Sequence, residues 1–105
     1  LIELVAERLR VIGEPMRIKL LCSLRDSDGG MTVGELVEAV NASQQNVSKH
    51  LAVLHQAGVL SRAKEGTRVR YRIVDDSVFT LCDHVCGALR TQVDELDRLL
   101  EGATR

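Results

Sequence analysis

The chain has 105 residues, 45 % apolar but only 2 % aromatic, with no Trp. One globular domain over residues 1–105 is expected, with an aliphatic core that suits packed helices better than a sheet sandwich. The net charge of −1, taken whole, argues against a polyanionic partner, and no apolar run is long enough to cross a bilayer. Leu1-Ile2-Glu3-Leu4 lacks the basic stretch and apolar run of a signal peptide, so none is expected.

Residues 1–12 place Leu1, Leu4, Val5, Leu9 and Ile12 at helical spacing, and Gly13 stops that helix. Pro15 suits the first turn of a second helix, where its missing N–H costs nothing. That helix is expected to turn Ile18, Leu21, Cys22 and Leu24 inward and to end near Asp26. "DSDGG" (26–30) is turn chemistry. Thr32 followed by Glu35 is the capping-box pattern, opening a third helix with Leu36, Val37 and Val40 as its stripe.

Asn41-Ala42 breaks the pattern and Ser43 offers a second N-cap. The fourth helix, about 43–57, buries Val47, His50, Leu51 and Leu54 and is closed by Gly58. The period then falls to two, with Val69, Tyr71 and Ile73 alternating with Arg68, Arg70 and Arg72. Arms at about 59–64 and 68–74 around Glu65-Gly66-Thr67 read as a β-hairpin. From Asp76 helical spacing returns. Val78, Cys82, Val85, Leu89, Val93, Leu96 and Leu100 form one stripe, flanked by Phe79, Cys86 and Leu99, with Asp75 or Asp76 as the cap.

Charge is uneven along this order. Residues 43–72 hold six Lys and Arg against Glu65 alone, while the flanking segments are acidic. A near-neutral chain with one basic segment has a localised electrostatic footprint. Residues 32–58 have the dimensions of a helix-turn-helix, whose second helix enters the DNA major groove by its N-terminal end. There the chain presents Ser43, Gln44, Gln45, Ser48 and Lys49, with no acid between Glu38 and Glu65. Gln can pair with adenine edges, Ser can donate or accept, and Lys can reach guanine or phosphate. The exposed N–H groups of a helix start also favour phosphate. The bland alternative is a solvated polar face. An arginine strand face without alternating acids, placed directly after the helix pair, weighs against it.

The stretch "SQQNVSKHLAVLHQAGVLSRAKEGTRVRYRI" (43–73), with "GEPMRIKLLCSL" (13–24), resembles the ArsR-type family of winged-helix transcriptional repressors. The resemblance implies a mainly α fold with a β-hairpin wing: four helices, two strands and a fifth helix, a winged helix-turn-helix with a helical dimer interface. It implies a homodimer that pairs through its first and last helices and binds a pseudo-palindromic operator in double-stranded DNA. No Gly-rich phosphate loop or nucleophile–base arrangement stands out, so no enzymatic activity is expected; the lack of a long apolar run leaves no membrane association expected, and the odd cysteine count points to the cytoplasm. Carried over by position, Ser43, Gln44, Gln45, Ser48 and Lys49 belong to the recognition helix. Arg68 and Arg70 are wing contacts supported by Arg62 and Lys64, and His50 is structural. The alternatives from the residues are a winged-helix protein-interaction module and a DNA-binding regulator without an effector.

An effector that releases the operator is also implied, but two familiar effector patterns are missing. Thr32 and Gly34 stand where many members carry Cys-x-Cys. At the zinc positions of others stand Asp75, Ser77, Ala88 and Thr91, of which only Asp75 has a ligand's chemistry. The three cysteines, Cys22, Cys82 and Cys86, are an odd number and point to a reducing compartment. Cys82 and Cys86 share a helix face. Three readings stand for them: a thiolate site for arsenite or a soft-metal ion, a redox or persulfide sensor, or apolar packing.

Overall fold

A computed structural model describes residues 1–103 of the chain. Residues 1–75 form one compact unit, and the chain from Asp76 onward forms a second. The first unit runs α1 (Ile2–Ile12), α2 (Pro15–Arg25), β1 (Met31–Thr32), α3 (Val33–Val40), α4 (Gln44–Gln56), β2 (Leu60–Glu65) and β3 (Arg68–Ile73). The second contains α5 (Ser77–Ala103).

Local chemistry accounts for the helix ends. The Glu14 carboxylate accepts the Arg17 N–H at 3.0 Å at the start of α2, with Pro15 in the first turn. Thr32 and Glu35 make the full reciprocal capping box of α3. Glu35, itself an acceptor of the Thr32 backbone and hydroxyl donors, is thereby held below the usual carboxylate range; the nearby Arg70 and Arg68 charges reinforce this. Ser43 accepts the Asn46 N–H at 3.2 Å and opens α4. At the other end Gly58 takes φ +80°. Its N–H returns to His55 O, and that of Val59 to Leu54 O, both at 3.0 Å. That is the Schellman pattern, in which glycine carries the left-handed turn without a Cβ penalty.

The core of the first unit is aliphatic. Leu20 and Leu21 of α2, Leu36 of α3, Val47, Leu51 and Leu54 of α4, and Val59 are almost wholly buried. Tyr71 is buried beside them, with its ring edge-on to His55 at 6.5 Å. The inward face of α2 differs from expectation: Leu20, Leu21 and Leu24 are buried, while Ile18 is 38 % exposed and Cys22 is exposed. The apolar letters of α2 cover more of its circumference than one core can take. Its neighbours α3 and α4 receive the Leu20–Leu24 side.

The sheet has one more strand than the hairpin. Its order is β1-β3-β2, all antiparallel, with Met31 opposite Tyr71 and Thr32 opposite Arg70. A two-residue strand has no period to read. The close approach explains the glycines before it. Gly29 and Gly30 have φ +85° and +87°, and a Cβ on Gly30 would lie 2.3 Å from the Tyr71 carbonyl oxygen. Gly66 takes φ +65° at the two-residue turn between β2 and β3.

Two arginines fix α1 and α2 to α4. Arg8 donates to Asp75 Oδ2 and to the Ala57 carbonyl, both at 2.7 Å. Arg17 donates from Nε to His50 Nδ1 at 3.2 Å and from Nη1 to the Val11 carbonyl at 3.0 Å. His50 is buried, and Glu14 Oε2 lies 3.6 Å from its Nδ1. Accepting from Arg17 requires an unprotonated Nδ1, which places the ring proton on Nε2. Burial pushes the imidazole below its ordinary value of 6.5, Glu14 opposes this, and Lys49 and Arg17 add to it.

In α5 the apolar stripe lies open. Val85, Leu89, Val93, Leu96 and Leu100 are each 51–56 % exposed. No helix among the described residues is long and apolar enough to cross a membrane.

The depressed His50 pKa gives stability a pH slope. The unfolded chain takes up the imidazole proton at higher pH than the folded one, so stability rises with pH across this interval. It is full above the ordinary imidazole value and drains as pH falls from there toward the folded value. Urea unfolding over this range should show that loss, and His50→Gln, which still offers Arg17 an acceptor, should flatten it. An unchanged slope in the variant removes His50 as its source.

Candidate nucleic-acid interface

The single apolar face of α4 decides what its other face presents. Val47, His50, Leu51 and Leu54 are buried. The 3.6-residue period therefore turns Gln44, Gln45 and Lys49 fully out, with Ser48 half-exposed and Ser43 exposed as the N-cap. Entry into α4 is set by Asn41, the one described residue other than glycine with positive φ, at +52°. The N–H groups of Asn41 and Ala42 both return to the Val37 carbonyl, which ends α3 and redirects the chain within a short break.

The exposed side of α4 divides in two. Gln44 and Ser48 line a groove of about 540 Å³ shared with Arg62, Thr67 and Arg68 of the hairpin and with Glu35 and Glu38 of α3. Ser43, Gln45, Asn46 and Lys49 line a separate depression on the α4 surface. The N-terminal end of α4 and the hairpin tip thus form two ridges with a channel between them, both bearing donors and cations.

Hairpin register sorts the basic residues in a way the alternation along one strand does not reveal. Arg62 stands opposite Tyr71 and Lys64 opposite Val69. Cross-strand partners share a face, so these two side chains lie on the Tyr71 side of the sheet, and Arg68, Arg70 and Arg72 lie on the other. Arg62, Lys64 and Arg68 are exposed. Arg70 is engaged within the chain. Its Nε donates to both oxygens of Glu65, and its Nη1 donates to the Gly30 carbonyl at 3.2 Å and lies 3.9 Å from Glu35 Oε1. Arg72 donates to the Gly29 carbonyl at 2.7 Å. Thr67, which the sequence reading leaves out, joins the groove because it sits beside Gly66 at the tip; counting register outward from that turn finds it.

Cys22 and Cys86 are exposed and Cys82 is partly exposed. Among the described residues no cluster of three or more His, Cys, Asp or Glu side chains could hold a metal ion. Asp75, at a family zinc position, is engaged by the Arg8 guanidinium.

A helix-turn-helix followed by a hairpin over a three-stranded sheet is the winged helix-turn-helix architecture. Residues 14–62 match the family described as bacterial regulatory protein, arsR family. The chain is 37 % identical over 76 residues to the uncharacterized HTH-type transcriptional regulator MJ1325 of Methanocaldococcus jannaschii, across 72 % of this chain and 84 % of that protein. It is 37 % identical over 75 residues to the HTH-type transcriptional repressor SmtB of Mycobacterium tuberculosis, across 71 % of this chain and 54 % of that one. It thus spans about half the length of the mycobacterial repressor. Among solved structures, the AntR antimony-specific transcriptional repressor superposes with a TM-score of 0.75 at 30 % identity, over 86 % of this chain and 80 % of that chain. The chain belongs to the arsR family of bacterial regulatory proteins.

The left-handed turn at Asn41 is what aims α4. Asn41→Gly should leave urea-unfolding stability within a few tenths of a kcal/mol of the parent, whereas Asn41→Val should lower it by about 1–2 kcal/mol, the cost of that conformation for a β-branched side chain. Equal stability of the two variants removes the turn as a constraint.

Proposed function

We propose that the protein is a homodimeric, sequence-specific DNA-binding repressor, and not an enzyme. The observation that carries the reading is the two-ridge face: an α4 end that bears Ser, Gln and Lys but no acid, beside a hairpin tip that bears Arg62, Lys64 and Arg68. Ser43, Gln44, Gln45, Ser48 and Lys49 enter the major groove, where Gln and Lys read base edges. The wing cations neutralise phosphates beside them. The function of its repressor relatives supports this, and the reading places the protein in the cytoplasm, where the operator lies.

Homodimerisation is supported by uncovered apolar surface. Leu1, Ile2, Leu4 and Val5 at the start of the chain and the α5 stripe are exposed in the single chain, more than isolated surface residues explain. Pairing through α1 and α5 buries both and makes residues 1–105 one DNA-binding and dimerisation domain. It also presents two α4 helices to a pseudo-palindromic site.

Release from the operator is assigned to a thiophilic effector acting on Cys22, Cys82 and Cys86. The exposure of Cys22 favours an accessible thiol over packing there, and the AntR repressor with which the chain superposes is antimony-specific. A cation held by three or more ligands of one chain finds no such cluster among the described residues.

The reading is tested by duplex binding across a salt series. A repressor loses affinity with a log–log slope of about −0.9 per phosphate contact; a protein-interaction module shows little duplex affinity at any salt. Arg68→Ala should weaken selected and mixed-sequence duplexes together. Gln44→Ala should weaken only the selected one, by a factor corresponding to about 1–3 kcal/mol. Equal loss on both duplexes for Gln44→Ala takes that side chain out of base readout.

The effector assignment has its own measurement. Arsenite or a persulfide donor should release the reduced protein from DNA, and Cys22→Ser or Cys86→Ser should block release. Normal release in both variants returns those cysteines to packing.

A further inference from the structure

We propose that Arg70 and Arg72 are positioning residues that mount the wing on the 29–35 segment, and that neither is a phosphate contact. The inference rests on the DNA-binding reading above and divides its cations into two groups. Both arginines lie on the exposed-looking basic face of β3, where charge alone would assign them to DNA.

Part of each guanidinium is already committed: Nε and Nη1 of Arg70, and Nε of Arg72. Arg70 spans three structural pieces: Glu65 at the hairpin tip, the Gly30 carbonyl before β1, and the Glu35 carboxylate at the start of α3. A guanidinium suits this because its donors lie in one rigid fork that can meet a carboxylate and a carbonyl together. Arg72 reaches the neighbouring Gly29 carbonyl. An independent observation fixes the same junction from the backbone. A Cβ on Gly30 would lie 2.5 Å from Arg72 Cγ as well as 2.3 Å from the Tyr71 carbonyl oxygen. The arginine stem and the glycine backbone are thus in direct apposition, with no room for a side chain between them.

The consequence is geometric. A wing formed by a two-stranded hairpin is flexible unless its root is held. β1 supplies only two residues of pairing to β3. The two arginines extend that hold along β3 and carry it through Arg70 to the tip at Glu65. The height of Arg68 and Thr67 beside α4, and hence the width of the groove they share with Gln44 and Ser48, depends on the mount. Glu65, the one acid in residues 43–72, then has a purpose as a partner of Arg70.

The test uses the full chain, with Arg70→Gln, Arg70→Lys, Arg72→Gln and Arg68→Gln. Two quantities are read: amide hydrogen exchange in the free protein, and mixed-sequence duplex affinity across a salt series. The mount predicts faster exchange through residues 60–73 in all three Arg70 and Arg72 variants. Arg70→Lys is included because it keeps the charge and loses the fork. It also predicts an affinity loss of several-fold in Arg70→Gln with the salt slope unchanged, whereas Arg68→Gln lowers the slope by about 0.9. Hairpin exchange unchanged from the parent overturns the assignment whatever the affinities do, and so does a slope reduced by about 0.9 in Arg70→Gln or Arg72→Gln. If the parent protein itself fails to bind duplex at low salt, the DNA-binding reading fails. The exchange measurement then decides the mount alone.

Discussion

Burial of one face of α4 is the constraint on which the rest depends. Val47, Leu51 and Leu54 are almost wholly enclosed and His50 is buried with them. Such a face has a unique rotational setting, because turning the helix by one residue would expose a leucine and bury a glutamine. Truncating one of these leucines would cost about 2–5 kcal/mol, a large part of a small domain's stability. The polar residues opposite are thereby aimed by packing they do not share. Asn41 and Gly58, each left-handed, bracket the helix and fix where it begins and stops.

Polar contacts then lock the elements around this core. Arg17 holds His50 from α2, and Arg8 holds the Ala57 carbonyl at the end of α4 from α1. On the far side, Arg70 and Arg72 fasten β3 to the glycines before β1. Two sets of basic side chains can be told apart. Arg8, Arg17, Arg70 and Arg72 hold elements together through carbonyl, carboxylate or imidazole partners, and Lys49, Arg62, Lys64 and Arg68 lie exposed near the α4 start and along the hairpin. Net charge cannot distinguish them; hydrogen-bond partners can.

The apolar stripe of α5 belongs to a different level of organisation. Its residues repeat as a core helix would, yet they are about half exposed in the single chain. The homodimer proposed above would cover it with a surface of the same kind, from the exposed start of α1 and from α5 of a second copy. The cysteines at positions 82 and 86 lie within this helix, so chemistry at their thiols would act on the surface proposed to pair the subunits.

Much of this was legible in the residues. The period change at Gly58, the Thr32–Glu35 box, the Ser43 cap and the Glu65-Gly66-Thr67 turn place the elements to within a residue or two, because caps and turns are short-range chemistry. The outward set on α4 follows from its one-faced period. The face of α2 did not, since Ile18 and Cys22 are as apolar as Leu20 and only the neighbours of the helix choose among them. Nor did β1, whose two residues are a strand only because β3 lies beside them. Apart from β1, the sequence by itself determined which segments are helix or strand, and it determined where the positive charge is concentrated. The tertiary structure alone decided which of those charges reach the Gly29 and Gly30 carbonyls and Glu35, because those partners come from a distant part of the chain.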